Sequence, residues 1–345
     1  MSAVSPTQHA VETPRRIAVV IPCYKVARHV LGVIAAIPSE CERIYVVDDA
    51  CPEGSGKLVA AQCRDPRVLV IFHEKNQGVG GAVISGYRRA LEDGMDVVVK
   101  IDGDGQMAPA LLPRFVAPLL RGQADYAKGN RFFDLRNISA MPPLRMFGNA
   151  VLSFFSKLST GYWDLFDPTN GYTAIHADAL RMLPLEKLSR RYFFETDLLF
   201  RLGTVRAVVQ DIPMDARYGD ETSGLRVSRI LGEFLFKHLR NCCKRIFYNY
   251  FLRDMALASI ELAAGVALLT FGLVYGSIKW MHSYDTASLA TAGTVMLAAL
   301  PVIVGLQFIL AFLAYDIANV PRRALSALTA TQAPRISGGH GTTGA

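Results

Sequence analysis

Two carboxylates one residue apart, Asp102 and Asp104, sit in the stretch Lys100-Ile101-Asp102-Gly103-Asp104-Gly105-Gln106, directly after the apolar run Met95–Val99. At the end of a buried strand such a pair can converge on one hard cation, and Gln106 offers a third oxygen. Gly103 and Gly105 carry no side-chain bulk, which lets a diphosphate approach the backbone. Oxygen ligands shared with substrate phosphates suit Mg²⁺ or Mn²⁺. A lone Asp-Gly-Asp is more often an acidic turn that caps the next helix, so the weight rests on what accompanies it.

The accompanying pattern alternates strand-like and helix-like stretches. Apolar β-branched runs occur at Ile17–Ile21, Ile44–Val47, Val68–Phe72 and Val97–Ile101, with helical patterns over Val26–Ile37, Lys57–Cys63 and Gly80–Leu91 between them. This alternation predicts an α/β fold with a mostly parallel sheet. Ligands of such sheets bind beyond the carboxyl ends of the strands. Pro22-Cys23-Tyr24, Asp48-Asp49 and Asp102-Gly103-Asp104 all fall at strand ends and are expected to line one crevice. Further on, the pattern predicts strands at Ala124–Lys128 and Ala207–Ile212, a helix over Leu144–Leu158 and another starting near Glu195.

Of the 345 residues, 51% are hydrophobic and 19% charged, and the net charge is +7. The apolar excess collects in the last quarter. Met255–Ile278 is almost wholly apolar and, as a helix, spans roughly 35 Å, enough to cross a bilayer. A second run, Leu289–Ala314, tolerates Pro301 as membrane helices do. Arg240, Lys244, Arg245 and Arg253 precede the pair, and Arg322 and Arg323 follow it. The positive-inside rule then places the catalytic region and both termini in the cytoplasm, with the protein integral to the cytoplasmic (inner) membrane. Leu225–Leu252 mixes leucines and aromatics with basic residues, which suits a helix in the headgroup plane. The expected organisation is a flexible tail over 1–15, a catalytic domain over 16–224 and amphipathic interface helices over 225–254. A transmembrane hairpin over 255–317 (spans 255–278 and 289–314) and a cytoplasmic tail over 318–345 complete it. The basic charge thus belongs to a membrane surface and anionic substrates, and no aromatic–basic interleaving in the catalytic part points to nucleic acid. Six cysteines without a Cys-x-x-Cys pair or zinc-like spacing, behind an N-terminus that reads as no signal peptide, are expected to be reduced thiols.

Four motifs in order carry a resemblance: Ile21-Pro22-Cys23-Tyr24, Val46-Val47-Asp48-Asp49-Ala50-Cys51, Asn76-Gln77-Gly78-Val79-Gly80-Gly81-Ala82 and Asp102-Gly103-Asp104-Gly105-Gln106. Together they resemble family 2 glycosyltransferases of the GT-A fold. The likeness is strongest to the membrane-anchored polyprenyl-phosphate hexosyltransferases, such as dolichol-phosphate mannose synthases and bacterial undecaprenyl-phosphate glucosyltransferases. By motif it covers Arg16–Ile230.

The resemblance implies a Rossmann-like GT-A domain that transfers a hexose, with inversion, from a UDP- or GDP-sugar to a polyprenyl phosphate on the cytoplasmic membrane face. It implies that Pro22, Tyr24, Asp48 and Asp49 embrace the nucleoside. Asn76 and Gly78 would lie near the nucleotide, and backbone N–H groups of the helix opened by Gly78 would meet phosphate. Asp102 and Gly103 would face the donor, and Asp102, Asp104 and Gln106 the metal. Arg131, Arg145, Asn149, Arg217 and Ser223 would hold the acceptor phosphate, for which the guanidinium fork is well shaped. Asp104 is a catalytic candidate through the metal; Glu195 falls where inverting members keep a general base, with Asp197 the second choice. A phosphate monoester is already an anion, so Glu195 would position it rather than deprotonate it. Departures from the family pattern are Lys25-Val26 after Tyr24 in place of Asn-Glu, Ala50-Cys51 in place of Gly-Ser, and Asn149 in place of Ser. Glu221 and Thr222 form an apparent insertion. The absence of a Gln-x-x-Arg-Trp element argues against a processive synthase. Transfer to another lipid-linked or polysaccharide acceptor, and a catalytically silent nucleotide-sugar-binding scaffold, stay open as alternatives. Gly265, Gly272 and Gly276 are small residues through which the hairpin could form a homo-oligomer.

Overall fold

A computed structural model describes residues 15–133, 143–215 and 227–332. Among these residues a seven-stranded sheet has the order β3-β2-β1-β4-β6-β5-β7. Its strands are β1 (Ile17–Cys23), β2 (Cys41–Asp48), β3 (Val68–Phe72), β4 (Val97–Lys100), β5 (Tyr126–Asn130), β6 (Thr173–His176) and β7 (Val209–Pro213). β1, β2, β3 and β4 pair in parallel, as do β5 and β7; β6 is antiparallel to both of its neighbours. The mostly parallel sheet is the one the alternation predicts. β6 carries no such signal, because Thr-Ala-Ile-His is buried on both faces and shows no period-2 pattern.

β1 and β4 are buried at every position, as parallel strands covered by helices on both faces must be. On one face Val19, Ile21, Val46 and Val99 pack under α1 (Val30–Ala35) and α4 (Leu112–Leu120). On the other, Ala18, Val20, Tyr45 and Val98 pack under α3 (Val79–Glu92), α6 (Ala177–Arg181) and α7 (Phe194–Thr204). α2 (Ser55–Gln62) flanks β2 and β3. Pro113 and Pro118 mask α4 in the sequence; the first sits in the opening turn, where proline is tolerated.

α5 (Pro143–Thr160) and α8 (Val227–Ile246) pack against each other, and a π-helical turn, Phe247–Arg253, follows α8. α9 (Leu257–Thr286) and α10 (Ala292–Ala318) are the two helices among the described residues long and apolar enough to cross a membrane. Only 22% and 11% of their most apolar stretches are buried, which is not how a soluble core holds such helices. Both run longer than the sequence pattern suggested. Polar residues such as Lys279 and His282 end an apolar run without ending a helix. Gly265, Gly272 and Gly305 lie at the crossing of α9 and α10. A Cβ on Gly272 would meet Val302 Cγ2 at 2.7 Å, and one on Gly305 would meet Leu269 N at 2.7 Å. Gly276 faces Ala298. These glycines therefore serve contacts inside the hairpin.

The hairpin is joined to the α/β domain by a buried polar hub. Asp316, near the end of α10, pairs with Arg245 of α8 at 2.6 and 2.9 Å, and both side chains are 2% exposed. The same carboxylate accepts from Trp163 Nε1 at 2.9 Å and Tyr250 Oη at 2.5 Å. Arg245 also donates to the Leu158 carbonyl in α5. Beyond the hairpin, the Asp125 carboxylate before β5 accepts from Leu325 and Ser326 N–H, capping α11 (Leu325–Gln332).

Candidate active site

A cavity of about 450 Å³ opens at the carboxyl ends of β1, β2 and β4. Pro22, Tyr24, Asp49, Asn76, Gly78, Asp102, Gly103 and Asp104 line it together. Tyr24 is 45% exposed, leaving its ring free to receive a planar partner. The two adjacent aspartates at the end of β2 part company. Asp49 reaches the cavity wall and organises it, accepting from Gln77 and Gly78 N–H at 2.8 Å each, with the Asn76 amide on its carbonyl. His73 lies 2.8 Å from Asp49 and 2.9 Å from Ser85. Neither His73 nor Ser85 lines the cavity, so this relay holds Asp49 rather than forming a nucleophilic site. Asp48 points the other way and accepts from Cys51 and Gly56 N–H at 2.7 and 2.6 Å. It secures the turn into α2 and is not among the cavity residues.

Gly78 (φ +86) and Gly80 let α3 approach another segment at backbone distance. A Cβ on Gly78 would lie 2.5 Å from the Arg190 carbonyl, and one on Gly80 would lie 2.5 Å from the Ser189 carbonyl. This contact carries Arg191 and Tyr192 over the cavity, where both line it. Sequence reasoning missed these two residues. Only the Gly-x-Gly spacing hinted at a close approach, and it does not say to what.

Asp102 and Asp104 stand on the cavity wall. Asp102 Oδ1 is buried and makes no directed hydrogen bond, although Lys100 Nζ lies 2.9 Å away as an ion pair. Asp104 Oδ1 accepts from Gln106 N–H at 3.0 Å. Gln106 is not among the cavity residues; its backbone braces Asp104 instead. Among the described residues no group of three or more His, Cys, Asp or Glu side chains is placed to hold a metal ion by itself. Two carboxylates on one cavity wall fit a Mg²⁺ or Mn²⁺ ion whose remaining ligands would be phosphate oxygens and water. Lys100, whose chemistry the sequence does not announce, also donates to Glu195 Oε1 at 3.2 Å. Burial alone would lower its pKa, but Asp102 and Glu195 hold the ammonium above its ordinary value.

Glu195 is partly buried in the first turn of α7. Asp197, two residues on, is 1% exposed and fully engaged, accepting from Ser189 N–H at 2.9 Å and Asn241 Nδ2 at 3.1 Å, with Arg201 at 3.5 Å. It joins α7 to α8 and has no access to a substrate. Beyond the end of β5 Arg131 makes a two-pronged pair with Asp167, at 2.8 and 3.1 Å. Buried Lys128 donates to the Asp167 carbonyl. Burial would raise the Asp167 pKa, but Lys128 and Arg131 hold it below the usual carboxylate range. Burial pushes Lys128 down to about 8 and Asp211 up to about 6. Gly171 brings this loop against the end of β4, since a Cβ there would lie 2.6 Å from both Asp102 Oδ2 and Lys100 Nζ. Asn149 lies on α5, half-buried, and Arg145 is in the first turn of that helix. Arg217 and Ser223 lie outside the described residues.

A cavity at the carboxyl ends of parallel strands, with two carboxylates on its wall, stands where α/β sheets bind their ligands. Residues 18–183 match the glycosyl transferase family 2 model. The chain is 34% identical over 173 residues to an undecaprenyl-phosphate mannosyltransferase of Micrococcus luteus, covering 50% of this chain and 70% of that one. It is 26% identical over 234 residues to a UDP-N-acetylglucosamine–dolichyl-phosphate N-acetylglucosaminyltransferase of Methanococcus voltae, covering 64% of this chain and 93% of that one. Among solved structures, glucosyl-3-phosphoglycerate synthase of Mycobacterium tuberculosis with Mg²⁺ and UDP aligns with a TM-score of 0.49 at 19% identity, over 67% of this chain and 79% of that one. The chain belongs to glycosyl transferase family 2.

Proposed function

We propose that this protein is an inverting, divalent-metal-dependent glycosyltransferase that moves a hexose from a UDP- or GDP-sugar to a polyprenyl phosphate at the cytoplasmic face of the membrane. The observation that carries the reading is the contact of two half-sites. A donor cavity with Asp102 and Asp104 on its wall touches, through Gly171, the loop whose Asp167 grips Arg131. The names of the relatives from Micrococcus luteus and Methanococcus voltae, both polyprenyl-type phosphate transferases, support the acceptor class.

On this reading Tyr24 stacks on the base, and Asp49 holds the loop that carries Asn76 and Gly78 against the nucleotide. Asp102 and Asp104 would hold Mg²⁺ or Mn²⁺, which supplies charge neutralisation for the leaving diphosphate. Arg191 meets the diphosphate from the opposite wall. Arg131, with its fork fixed by Asp167, holds the acceptor phosphate, and Arg145, Asn149, Arg217 and Ser223 complete that grip. An acceptor oxygen then forms a bond to the anomeric carbon as the bond to the diphosphate breaks on the far side, which inverts that carbon. Glu195 orients the acceptor.

The lipid acceptor calls for a membrane-facing surface next to the site. α5 exposes Met146, Phe147, Val151 and Phe154, and α8 exposes Leu235, Phe236 and Leu239. These faces suit the headgroup plane beside the hairpin, and the basic residues flanking the hairpin favour the cytoplasmic side.

The test is nucleoside diphosphate release by detergent-purified protein with Mg²⁺ or Mn²⁺, a panel of UDP- and GDP-sugars, and undecaprenyl phosphate present or omitted. Release that requires one donor, the metal and the lipid is expected. Release independent of lipid would reject the acceptor assignment, and binding without any release would favour the scaffold alternative.

A further inference from the structure

Lys100 is the last residue of β4, and its side chain is 1% exposed. The strand position asks for an apolar residue: Val97, Val98 and Val99 before it are all fully buried. Burying an ammonium is costly, and a methionine of similar volume would fill the space without that cost. The charge is therefore explained by what it touches, and it touches one carboxylate from each half-site. Asp102 Oδ1 lies 2.9 Å away on the donor side, and Glu195 Oε1 accepts at 3.2 Å from the helix on the acceptor side. Gly171 of the acceptor loop closes against the same ammonium.

We propose that Lys100 is a positioning residue that couples donor binding to the acceptor-side carboxylate; the inference rests on the function proposed above. One ammonium is shared between Asp102 and Glu195. Lys100 and a divalent cation compete for Asp102, both through like-charge repulsion and for the same oxygen. With Asp102 held by the cation that bridges it to the diphosphate, the ammonium would be left to Glu195, which it would fix for the incoming acceptor. Donor arrival is thus communicated across the site by redistributing one charge.

The competition gives opposite signatures for its two partners, which a lysine that only supports the fold would not give. In Lys100→Met the rival for Asp102 is gone. Mn²⁺ affinity in the presence of UDP, read from the electron paramagnetic resonance signal of free Mn²⁺, is expected to tighten by about tenfold. Transfer to undecaprenyl phosphate is expected to fall through a higher KM for the lipid. In Glu195→Gln the ammonium belongs to Asp102 alone, so Mn²⁺ affinity is expected to weaken. The double variant is expected to keep tight Mn²⁺ binding and lose little transfer beyond Glu195→Gln alone. Glu195→Gln keeps the buried lysine and its Asp102 pair, so the weakening can be read even where Lys100→Met folds poorly. Unchanged Mn²⁺ affinity in Glu195→Gln, or weakening in both single variants, would overturn the coupling while leaving an active wild type and its proposed function intact. A wild type that neither binds Mn²⁺ with UDP nor transfers sugar would overturn both.

Discussion

Asp102 and Asp104 share a motif, yet their neighbours separate their tasks from those of the other acidic residues. Asp104→Ala removes a cavity carboxylate without opening the core, so transfer is expected to fall by about 100–1000-fold with thermal stability retained, as measured by lipid-dependent nucleotide release and a melting curve. Asp48→Ala and Asp197→Ala are expected to do the reverse. Each leaves buried N–H groups unpaired, with a loss of about 1–3 kcal/mol that should appear first in the melting temperature. Ala50 holds φ +52, a region that disfavours a Cβ; Ala50→Gly should stabilise by about 0.5–1 kcal/mol in a denaturant titration. The meeting of Pro22, Tyr24, Asp49, Asp102 and Asp104 at one cavity was legible because each lies at or just past the end of a strand. Asp48 is the last residue of β2 and Asp49 the first beyond it, so the two side chains meet different neighbours. Lys100, Arg191 and Tyr192 were not legible, because their roles come from contacts with residues far away in the chain.

The packing of α8 on α5 turns on His238. It lies 3% exposed beside Phe155 and Phe193, with Nδ1 2.9 Å from Ser159 Oγ. Burial pushes its pKa down to about 4. The unfolded imidazole takes a proton near pH 6.5, so the folded state binds fewer protons between that value and 4. Stability from this contact is therefore present above pH 6.5 and lost as pH falls toward 4. The melting temperature is expected to drop across that window, and His238→Gln should flatten the part of the slope that His238 owns. At this scale the parallel strands and the long amphipathic helices were legible from their periods. β6 was not, because four residues buried on both sides show no period, and α4 was not, because its prolines read as breaks.

Across the whole molecule, Arg245 and Asp316 join segments 71 residues apart into one hub with Trp163 and Tyr250. Composition reveals the apolar hairpin, but no local pattern reveals what its end holds. Arg245→Met leaves Asp316 buried without its cation and is expected to destabilise by about 3–5 kcal/mol, whereas adding Asp316→Leu should recover much of that loss. Limited proteolysis and melting in detergent would read both. At about 45 and 40 Å, α9 and α10 are longer than a hydrocarbon core of about 30 Å, so on the proposed membrane placement they would fit a thin bilayer by leaning. With Asp316 tied to Arg245, Trp163 and Tyr250, that lean would be passed to the α/β domain, and the acyl-chain length of the surrounding lipids would set the height and pitch at which the cavity meets the membrane surface.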